Sequence, residues 1–193
     1  MDPFKKSESF YEETFSHVNS TDMVIRDKEF EKCTFRQCSF INCQFVHCKF
    51  LDCTFDTSDL SVVKLTDSIF SECVFVNSKA IGIDWTKAKT LRSLSFKSCQ
   101  LHYSNFSFLK LPQLKLLSCT VHEADFMEAN LTEGDFKGTD FTRSRFANTN
   151  LTKANFKNAY NYSINFNNNL LTKAKFSLPE AVSLLQSLDI ILE

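Results

Sequence analysis

Apolar residues recur at every fifth position along most of the chain, and the positions between them are mainly polar. The series runs from Phe10 to Phe176, with a one-residue shift within 86–91 and a polar break at Asn161, after which Phe166 resumes it. An α-helix turns about 500° in five residues, and a flat strand sends alternate members of such a series to opposite faces. The backbone must therefore bend once per repeat, which predicts a β-solenoid.

A second series of small residues precedes the first by two positions, and all eight cysteines belong to it. One large and one small side chain per repeat can fill a narrow interior at native density. Bulky Leu109 and Leu114 depart from this series and are expected to disturb the coil. The predicted structural core includes Phe35, Phe40, Phe45, Phe50, Phe55, Cys33, Cys38, Cys43, Cys48, Cys53, Phe126, Phe136, Phe141, Phe146 and Phe156.

The cysteines admit three interpretations: a metal site, a set of disulfides, or structural packing. A metal site needs three or four thiolates that converge on one point, whereas neighbouring repeats lie on different sides of a coil. Cysteines twenty residues apart, such as Cys33 and Cys53, would stack within bridging range, but a reducing compartment opposes disulfides. Because free cysteine packs as a small buried hydrophobe, we predict a structural role without metal or cofactor.

Composition and charge exclude several other classes of protein. The formal net charge is −1, and with only three glycines the chain has no Gly-rich loop that could cradle a phosphate. So few glycines and prolines leave no evident linker, which favours one domain. The apolar runs are too short to span a membrane, and residues 1–15 lack an apolar signal segment, so we expect a cytoplasmic protein.

Candidate catalytic and metal-ligating residues are sparse. His102 and His122 are twenty residues apart and should stack on one outer face, but Thr142 follows them in that column, so a third metal ligand is missing. Carboxylates on a convex rod have no cleft that would raise a pKa for acid–base work. We expect no catalytic, cofactor-binding or metal-binding residues, and no enzymatic activity.

The C-terminal segment 177–193 abandons the five-residue period. Ser177 and Glu180 fit a capping box at the start of a short amphipathic helix, and residues 189–192 read as a short apolar strand. The segment can cover the open edge of the last coil, form a dimer interface, or do both. The candidate dimer residues are Val182, Leu184, Leu185, Leu188, Ile190, Ile191 and Leu192.

The repeats ADFME (124–128), ANLTE (129–133), GDFKG (134–138), TDFTR (139–143), TNLTK (149–153) and ANFKN (154–158) resemble the pentapeptide-repeat family, whose motif is roughly A(D/N)LXX. The resemblance implies an all-β fold, a right-handed quadrilateral β-helix with four repeats per coil. It covers residues 10–176, between an N-terminal cap at 1–9 and the C-terminal segment at 177–193. About eight coils would make a rod of roughly 40 Å.

Within that family the chain is similar to the quinolone-resistance subgroup in its length, its interruption in the first half and its C-terminal helix and strand. The resemblance implies a cytoplasmic homodimer that binds DNA gyrase or topoisomerase IV and protects it from quinolones or peptide toxins by imitating DNA. It implies no membrane contact and no direct binding of nucleic acid. A structural or protein-interaction solenoid with another partner is the alternative.

Charge along the chain tests the idea of DNA mimicry. Residues 1–60 carry a net −4, residues 61–120 a net +5, and residues 121–193 a net −2. Columns twenty residues apart mix signs, because Glu133 precedes Lys153 and Asp125 precedes Arg145, so no continuous acidic stripe is expected. The basic residues of the middle are interpreted as solvated rather than as contacts to nucleic acid: Lys87, Lys89, Arg92, Lys97, Lys110 and Lys115.

Overall fold

The computed structural model, which describes residues 4–188 and 190, is a parallel β-solenoid of about eight coils. This confirms the predicted fold class. The strands are β1 Ser9–Tyr11, β2 Thr14–Ser16, β3 Val24–Arg26, β4 Glu29–Glu31, β5 Thr34–Arg36, β6 Gln44–Val46, β7 Lys49–Leu51, β8 Thr54–Asp56, β9 Lys64–Thr66, β10 Ile69–Ser71, β11 Val74–Val76, β12 Thr90–Arg92, β13 Ser95–Lys97, β14 Lys115–Leu117, β15 Arg145–Phe146, β16 Asn155–Phe156, β17 Ser163–Ile164 and β18 Lys175–Phe176. Three 3-10 helices occupy Trp85–Lys87, Phe166–Asn168 and Glu180–Leu188.

Each coil has four sides, and residues one coil apart pair in parallel. Face A contains β1, β4, β7, β10 and β12, face B contains β2, β5, β8, β11, β13 and β14, and face D contains β3, β6 and β9. Face C, between B and D, is joined by isolated bridges such as Ser39 to Asp59. We number the coils by residue range: 8–27, 28–47, 48–67, 68–88, 89–108, 109–128, 129–148, 149–168 and the half coil 169–178.

The corners explain why a five-residue period suffices. Two residues after the inward apolar side chain of each regular repeat the backbone enters the left-handed region, for example at Gln37 (φ 52°) and Asn42 (φ 53°). This conformation costs an L-residue roughly 1 kcal/mol or more, which core packing must outweigh. The corner at Phe40 is a hydrogen-bonded turn, in which Cys43 N donates to Phe40 O at 2.9 Å. The predicted bend at each repeat is thereby confirmed.

Aspartate and asparagine in the repeats support the corner that follows them. Asp125 accepts a hydrogen bond from Met127 N at 2.9 Å, and Asn150 accepts one from Thr152 N at 3.0 Å. Short polar side chains characteristically bond to the backbone two residues ahead. The second position of the motif therefore orders the turn, which gives a physical reason for its D/N preference.

Stacked phenyl rings fill the axis of the first five coils. On face B the rings of Phe35 and Phe55 stack at 4.8 Å, and those of Phe75 and Phe96 at 4.5 Å. Such pairs add roughly 0.5–1.5 kcal/mol beyond the burial of their area. Phe4 closes the N-terminal end of this column. The fifteen residues that we expected in the core are all buried, with exposed fractions of 5% or less.

The predicted shift within 86–91 is confirmed as one inserted residue. Phe70 pairs with Leu91, twenty-one residues on, whereas Phe50 pairs with Phe70 after twenty. The insertion is a 3-10 helix at Trp85–Lys87, whose first turn is capped by Asp84 through Thr86 N at 3.2 Å. Trp85 itself is fully buried and stacks on Phe106 at 5.7 Å.

The expected place of Phe166 in the inward series is wrong. Phe166 is 38% exposed, and the buried residues within 160–168 are Tyr162 and Ile164. Arg145 pairs with Ser163 after only eighteen residues, and the 3-10 helix at Phe166–Asn168 restores the lost two. The five-residue apolar series has the same phase before and after this segment, so the series does not reveal the irregularity.

The C-terminal helix Glu180–Leu188 lies against the last coil. Ser177 and Glu180 do not form the expected capping box, because Ser177 Oγ accepts from Asn158 N at 3.1 Å and Glu180 Oε1 accepts from Asn161 N at 2.6 Å. Both side chains thus tie the segment to the preceding coil. The strand predicted at 189–192, including Ile191 and Leu192, lies outside the described residues except for Ile190.

Candidate interaction surface

All eight cysteines are buried. Cys73 Sγ donates to Phe50 O at 3.3 Å, and Cys53 Sγ donates to Phe30 O at 3.3 Å, so each reaches the corner of the coil before it. Burial raises the pKa of Cys53 to about 12 and also raises the pKa of Cys73. Reactive cysteines need a depressed pKa and exposure, so these thiols are placed for packing rather than for nucleophilic chemistry.

Serine and threonine perform the same task in the same column. Ser58 Oγ accepts from Cys38 N at 3.0 Å and donates to Phe35 O at 3.0 Å, which bridges a corner that has no turn hydrogen bond of its own. Where the preceding corner is bonded internally, as when Gly134 N donates to Leu131 O at 3.0 Å, the column holds Ala154. Thr149 departs from this pattern, because it donates to Phe126 O at 2.8 Å although Ala129 N also donates to that carbonyl at 3.1 Å.

The two stacked histidines form a polar ladder on face C. Their ring centroids are 4.4 Å apart, His122 N donates to His102 Nδ1 at 3.3 Å, and His122 Nε2 lies 3.0 Å from Asp140 Oδ2. Burial and the neighbouring His122 lower the pKa of His102. Among the described residues, no three His, Cys, Asp or Glu side chains are grouped so that they could hold a metal ion.

Opposite charges on successive coils meet directly, as the columns in the sequence predict. Lys153 Nζ lies 2.8 Å from Glu133 Oε1, Arg145 Nη2 lies 2.9 Å from Asp125 Oδ2, and other coils repeat the arrangement. These exposed pairs contribute little to stability, but each cancels an acidic side chain. A continuous stripe of negative charge is therefore interrupted on face D and at the corner after face A.

The C-terminal helix exposes an apolar patch at one end of the rod. Val182, Leu185, Leu188 and Ile190 are 37–52% exposed, whereas Leu184 packs against the core. Beneath the helix, burial and the adjacent Glu180 raise the pKa of Tyr162 to about 12. The segment thus covers the last coil with one side and leaves an apolar side uncovered by described residues.

Two exposed aromatic residues were missed from the sequence. Tyr103 is 62% exposed and Phe108 is 59% exposed, at two successive corners that flank face D in coil 5. Both adopt positive φ, where bulky residues are rare. A large apolar residue at a corner position of the repeat is the signal that could have identified them.

The helices of the described chain are all too short or too polar to cross a membrane.

A family model described as pentapeptide repeat region matches residues 28–106 and 48–126, and a model of eight-copy pentapeptide repeats matches residues 123–160. No curated protein sequence matches the chain.

Solved structures share the coil over most of its length. A trypsin-treated form of QnrB1, a plasmid-mediated fluoroquinolone resistance protein, aligns with a TM-score of 0.69 at 20% identity and covers 94% of this chain and 100% of its own. HetL, involved in heterocyst differentiation regulation in the cyanobacterium Nostoc sp. strain PCC 7120, aligns with a TM-score of 0.58 at 16% identity, over 88% and 87% of the two chains. At these identities the likeness extends to the fold alone.

Proposed function

The chain belongs to the pentapeptide-repeat family, and on that premise we propose that it is a non-enzymatic, cytoplasmic protein that binds a type II topoisomerase and protects it from quinolones or peptide toxins. The observation that carries the proposal is the match with QnrB1, which covers 94% of this chain and 100% of the other. The buried thiols and the convex surface fit a protein that acts by binding rather than by catalysis.

DNA mimicry requires uncompensated carboxylates, and faces A and B supply them in coils 1 to 4. Their residues in these coils contain eight acidic and four basic side chains, a net −4. Glu31, Asp52 and Glu72 lie along this surface and have no ion-pair partner among the described residues. We propose this acidic half of the rod as the surface that contacts the topoisomerase.

A gyrase supercoiling assay with ciprofloxacin tests the proposal. We expect the full chain to restore supercoiling, and the variant Glu31→Gln, Asp52→Asn, Glu72→Gln to restore at least several-fold less at equal concentration. The control Glu123→Gln, Asp125→Asn, Glu128→Gln removes the same charge on face D and should retain rescue. Absence of both rescue and gyrase co-purification would contradict the proposal.

A general protein-interaction solenoid is the second candidate, favoured by exposed Tyr103 and Phe108. Aromatic side chains are enriched at binding hot spots, and these two have no evident role in the core. If a partner other than a topoisomerase is captured by the wild-type chain but not by the Tyr103→Ser, Phe108→Ser variant, this candidate replaces the first.

We further propose that the uncovered C-terminal patch joins two chains into a homodimer. Val182, Leu185, Leu188 and Ile190 would form the described part of the interface, Ile191 and Leu192 would extend it, and Leu184 would support it from the core side. Light scattering should give a dimer for the wild-type chain and a monomer for Val182→Asp, Leu185→Asp. Val24→Asp, an exposed position on face D, is the control and should stay dimeric.

A further inference from the structure

The winding of the coil collects basic residues that are dispersed in the sequence. On face A and its following corner, coils 5 to 9 expose Lys89, Arg92, Lys110, Lys153 and Lys173. Only Lys153 among them has an ion-pair partner, Glu133, in the described chain.

Face B continues this basic surface around the corner. It exposes Lys97, Lys115, Lys137, Lys157 and Lys175, one on each of five successive coils. Lys115, Asp135, Asn155 and Lys175 stack in one column, and none of the five lysines has an ion-pair partner among the described residues. Asp135 is the one carboxylate on this part of the face, and it accepts from Asn155 Nδ2 at 2.9 Å.

Faces A and B therefore reverse sign halfway along the rod. In coils 5 to 9 they carry ten basic and two acidic side chains, a net +8, whereas faces C and D of coils 5 to 8 carry four acidic and two basic ones, a net −2. Charge counted along the sequence mixes the four faces, and for that reason it indicated only a weakly basic middle. We propose that this surface, the basic ramp, binds duplex nucleic acid through its phosphates, which departs from the expectation of no such contact.

Charge density favours a duplex as the occupant. The first and the last of five stacked coils are four strand spacings apart, which is about 19 Å. A duplex carries about 11 phosphate charges over that distance, at one per ~1.7 Å. The net +8 of the basic ramp is of the same order, whereas a folded acidic protein rarely presents such a density of uncompensated charge.

The exposed aromatic residues distinguish a duplex from a single strand. Single strands are held by aromatic side chains on which bases stack. Of the exposed aromatic side chains of coils 5 to 9 among the described residues, Tyr103, Tyr160 and Phe166 lie on faces C and D, and Phe108 lies at the corner between face D and face A. The basic ramp instead presents serine, threonine and asparagine between its lysines, which suit phosphate contacts without reading sequence.

A cleft marks the start of the basic ramp. β12 is the last strand of the face A sheet, so 90–93 and 110–113 are not joined by backbone hydrogen bonds in the described chain. Arg92, Ser93, Lys110 and Gln113 line the resulting cleft, and a second cleft that shares Ser93 and Gln113 reaches Lys115 on face B. Bulky Leu109, in the column of small residues, and Pro112 lie at this interruption. Cationic and amide donors around an open backbone edge form a setting for a phosphate group.

Fluorescence anisotropy of the full chain with labelled duplexes tests the inference. At about 50 mM salt we expect two unrelated duplexes of about 20 base pairs to bind with equal affinity in the micromolar range, and to bind much more weakly at about 200 mM. Lys115→Gln, Lys137→Gln, Lys157→Gln should weaken binding at least tenfold and reduce the slope of log affinity against log salt by about 2.7, since each phosphate contact contributes about 0.9.

The matched control Lys49→Gln, Lys64→Gln, Lys79→Gln loses the same charge outside the basic ramp and should bind duplexes within about twofold of the affinity of the wild-type chain. Circular dichroism should show that both triple variants are folded. Equal weakening by the two triple variants, or no binding at low salt, would overturn the inference. Tighter binding of polyglutamate than of the duplex would replace it with an acidic protein partner, and tighter binding of the single strand would also overturn it. The outcome does not depend on whether a topoisomerase is bound.

Discussion

Residues in the small series act through hydrogen bonds as well as through size. A thiol or hydroxyl in one coil donates to the carbonyl of the apolar residue twenty-three positions earlier, as in Cys73 to Phe50 and Ser78 to Phe55. The carbonyl at such a corner accepts no turn hydrogen bond in the described chain, and the thiol or hydroxyl supplies it with an added hydrogen bond, which contributes about 0.5–1.5 kcal/mol. Cysteine and serine are therefore equivalent here for a reason that alanine does not share.

Substitutions at Cys73 and Ser78 test this role. Cys73→Ser should lower the free energy of unfolding by less than about 1 kcal/mol, whereas Cys73→Ala should lower it by roughly 1–3 kcal/mol because Phe50 O loses the thiol hydrogen bond and a small cavity forms. Ser78→Cys and Ser78→Ala should show the same order. Urea unfolding measures both. If alanine is tolerated as well as or better than the alternative donor, packing alone explains the column.

Ser20 and Ser58 should respond to alanine with opposite signs. Ser20 Oγ is fully buried without a hydrogen-bond partner among the described residues, whereas Ser58 Oγ makes three hydrogen bonds. Removing an unpaired buried hydroxyl should raise the free energy of unfolding by about 1 kcal/mol, and removing a paired one should lower it by about the same amount. Thermal unfolding of Ser20→Ala and Ser58→Ala measures the difference, and a shared sign would contradict the assignment.

At the scale of single residues the sequence predicted which side chains lie inside the coil, but not which hydrogen bonds they make. The five-residue period is sufficient to place Cys73 and Ser58 inside the coil, because only one side of each strand faces the axis. Their hydrogen bonds depend on whether the corner of the preceding coil closes on itself. That property is decided by turn geometry at Phe50 and Phe35, and no spacing in the sequence reports it.

The elements of the solenoid are single strands and corners. The histidine ladder joins elements of three successive coils on face C. His102 accepts from His122 N through Nδ1, so protonation of that nitrogen would break a contact between coils. Although burial acts to raise the pKa of Asp140, hydrogen bonds from Thr142, Asn161 and His122 lower it below its usual value. The ladder is therefore suited to neutral histidine at His102 and to ionised Asp140.

Acidification should weaken this part of the fold. The pKa of His102 is lower in the folded chain than in the unfolded chain, so the unfolded chain takes up more protons below about pH 6.5 and stability falls with pH. The wild-type chain should lose more stability between about pH 7.5 and pH 5 than His102→Gln. His17→Gln, at an exposed corner, is the control and should match the wild-type slope. Parallel slopes for all three chains would contradict the prediction.

Two irregular elements show which departures from the regular coil the five-residue period can predict and which it cannot. The insertion at Trp85–Lys87 shifts the phase by one, so the sequence reveals it. At 161–168 the coil loses two residues and regains two, and the period predicts Phe166 inside where Ile164 is found. A compensated irregularity leaves no trace in the phase, and tertiary packing of Tyr162 decides the local path.

The whole molecule is a stack in which each coil contacts only its neighbours. Stability in such solenoids is approximately a sum of coil and interface contributions, and the end coils need caps. Phe4 is the N-terminal cap: its ring packs edge-on against Phe10 at 5.9 Å, Phe15 at 5.2 Å and Phe30 at 5.2 Å. The stacking of coils also explains why charges counted along the sequence did not reveal the basic ramp. Its basic residues come to lie side by side only when the chain winds into coils.

Removing the cap should therefore loosen one end of the rod and leave the other intact. Phe4→Ala should cost roughly 3–5 kcal/mol of local stability, as expected for a fully buried phenylalanine. Amide hydrogen exchange should then speed up in β1, β2 and β4 while β13 and β14 keep their protection, since coupling decays along a chain of nearest-neighbour contacts. Leu178→Ala, at a residue that is 79% exposed at the other end, is the control and should leave β1 unchanged. Uniform loss of protection in all of these strands would mean that the solenoid unfolds as one cooperative unit and that its coils are not independent.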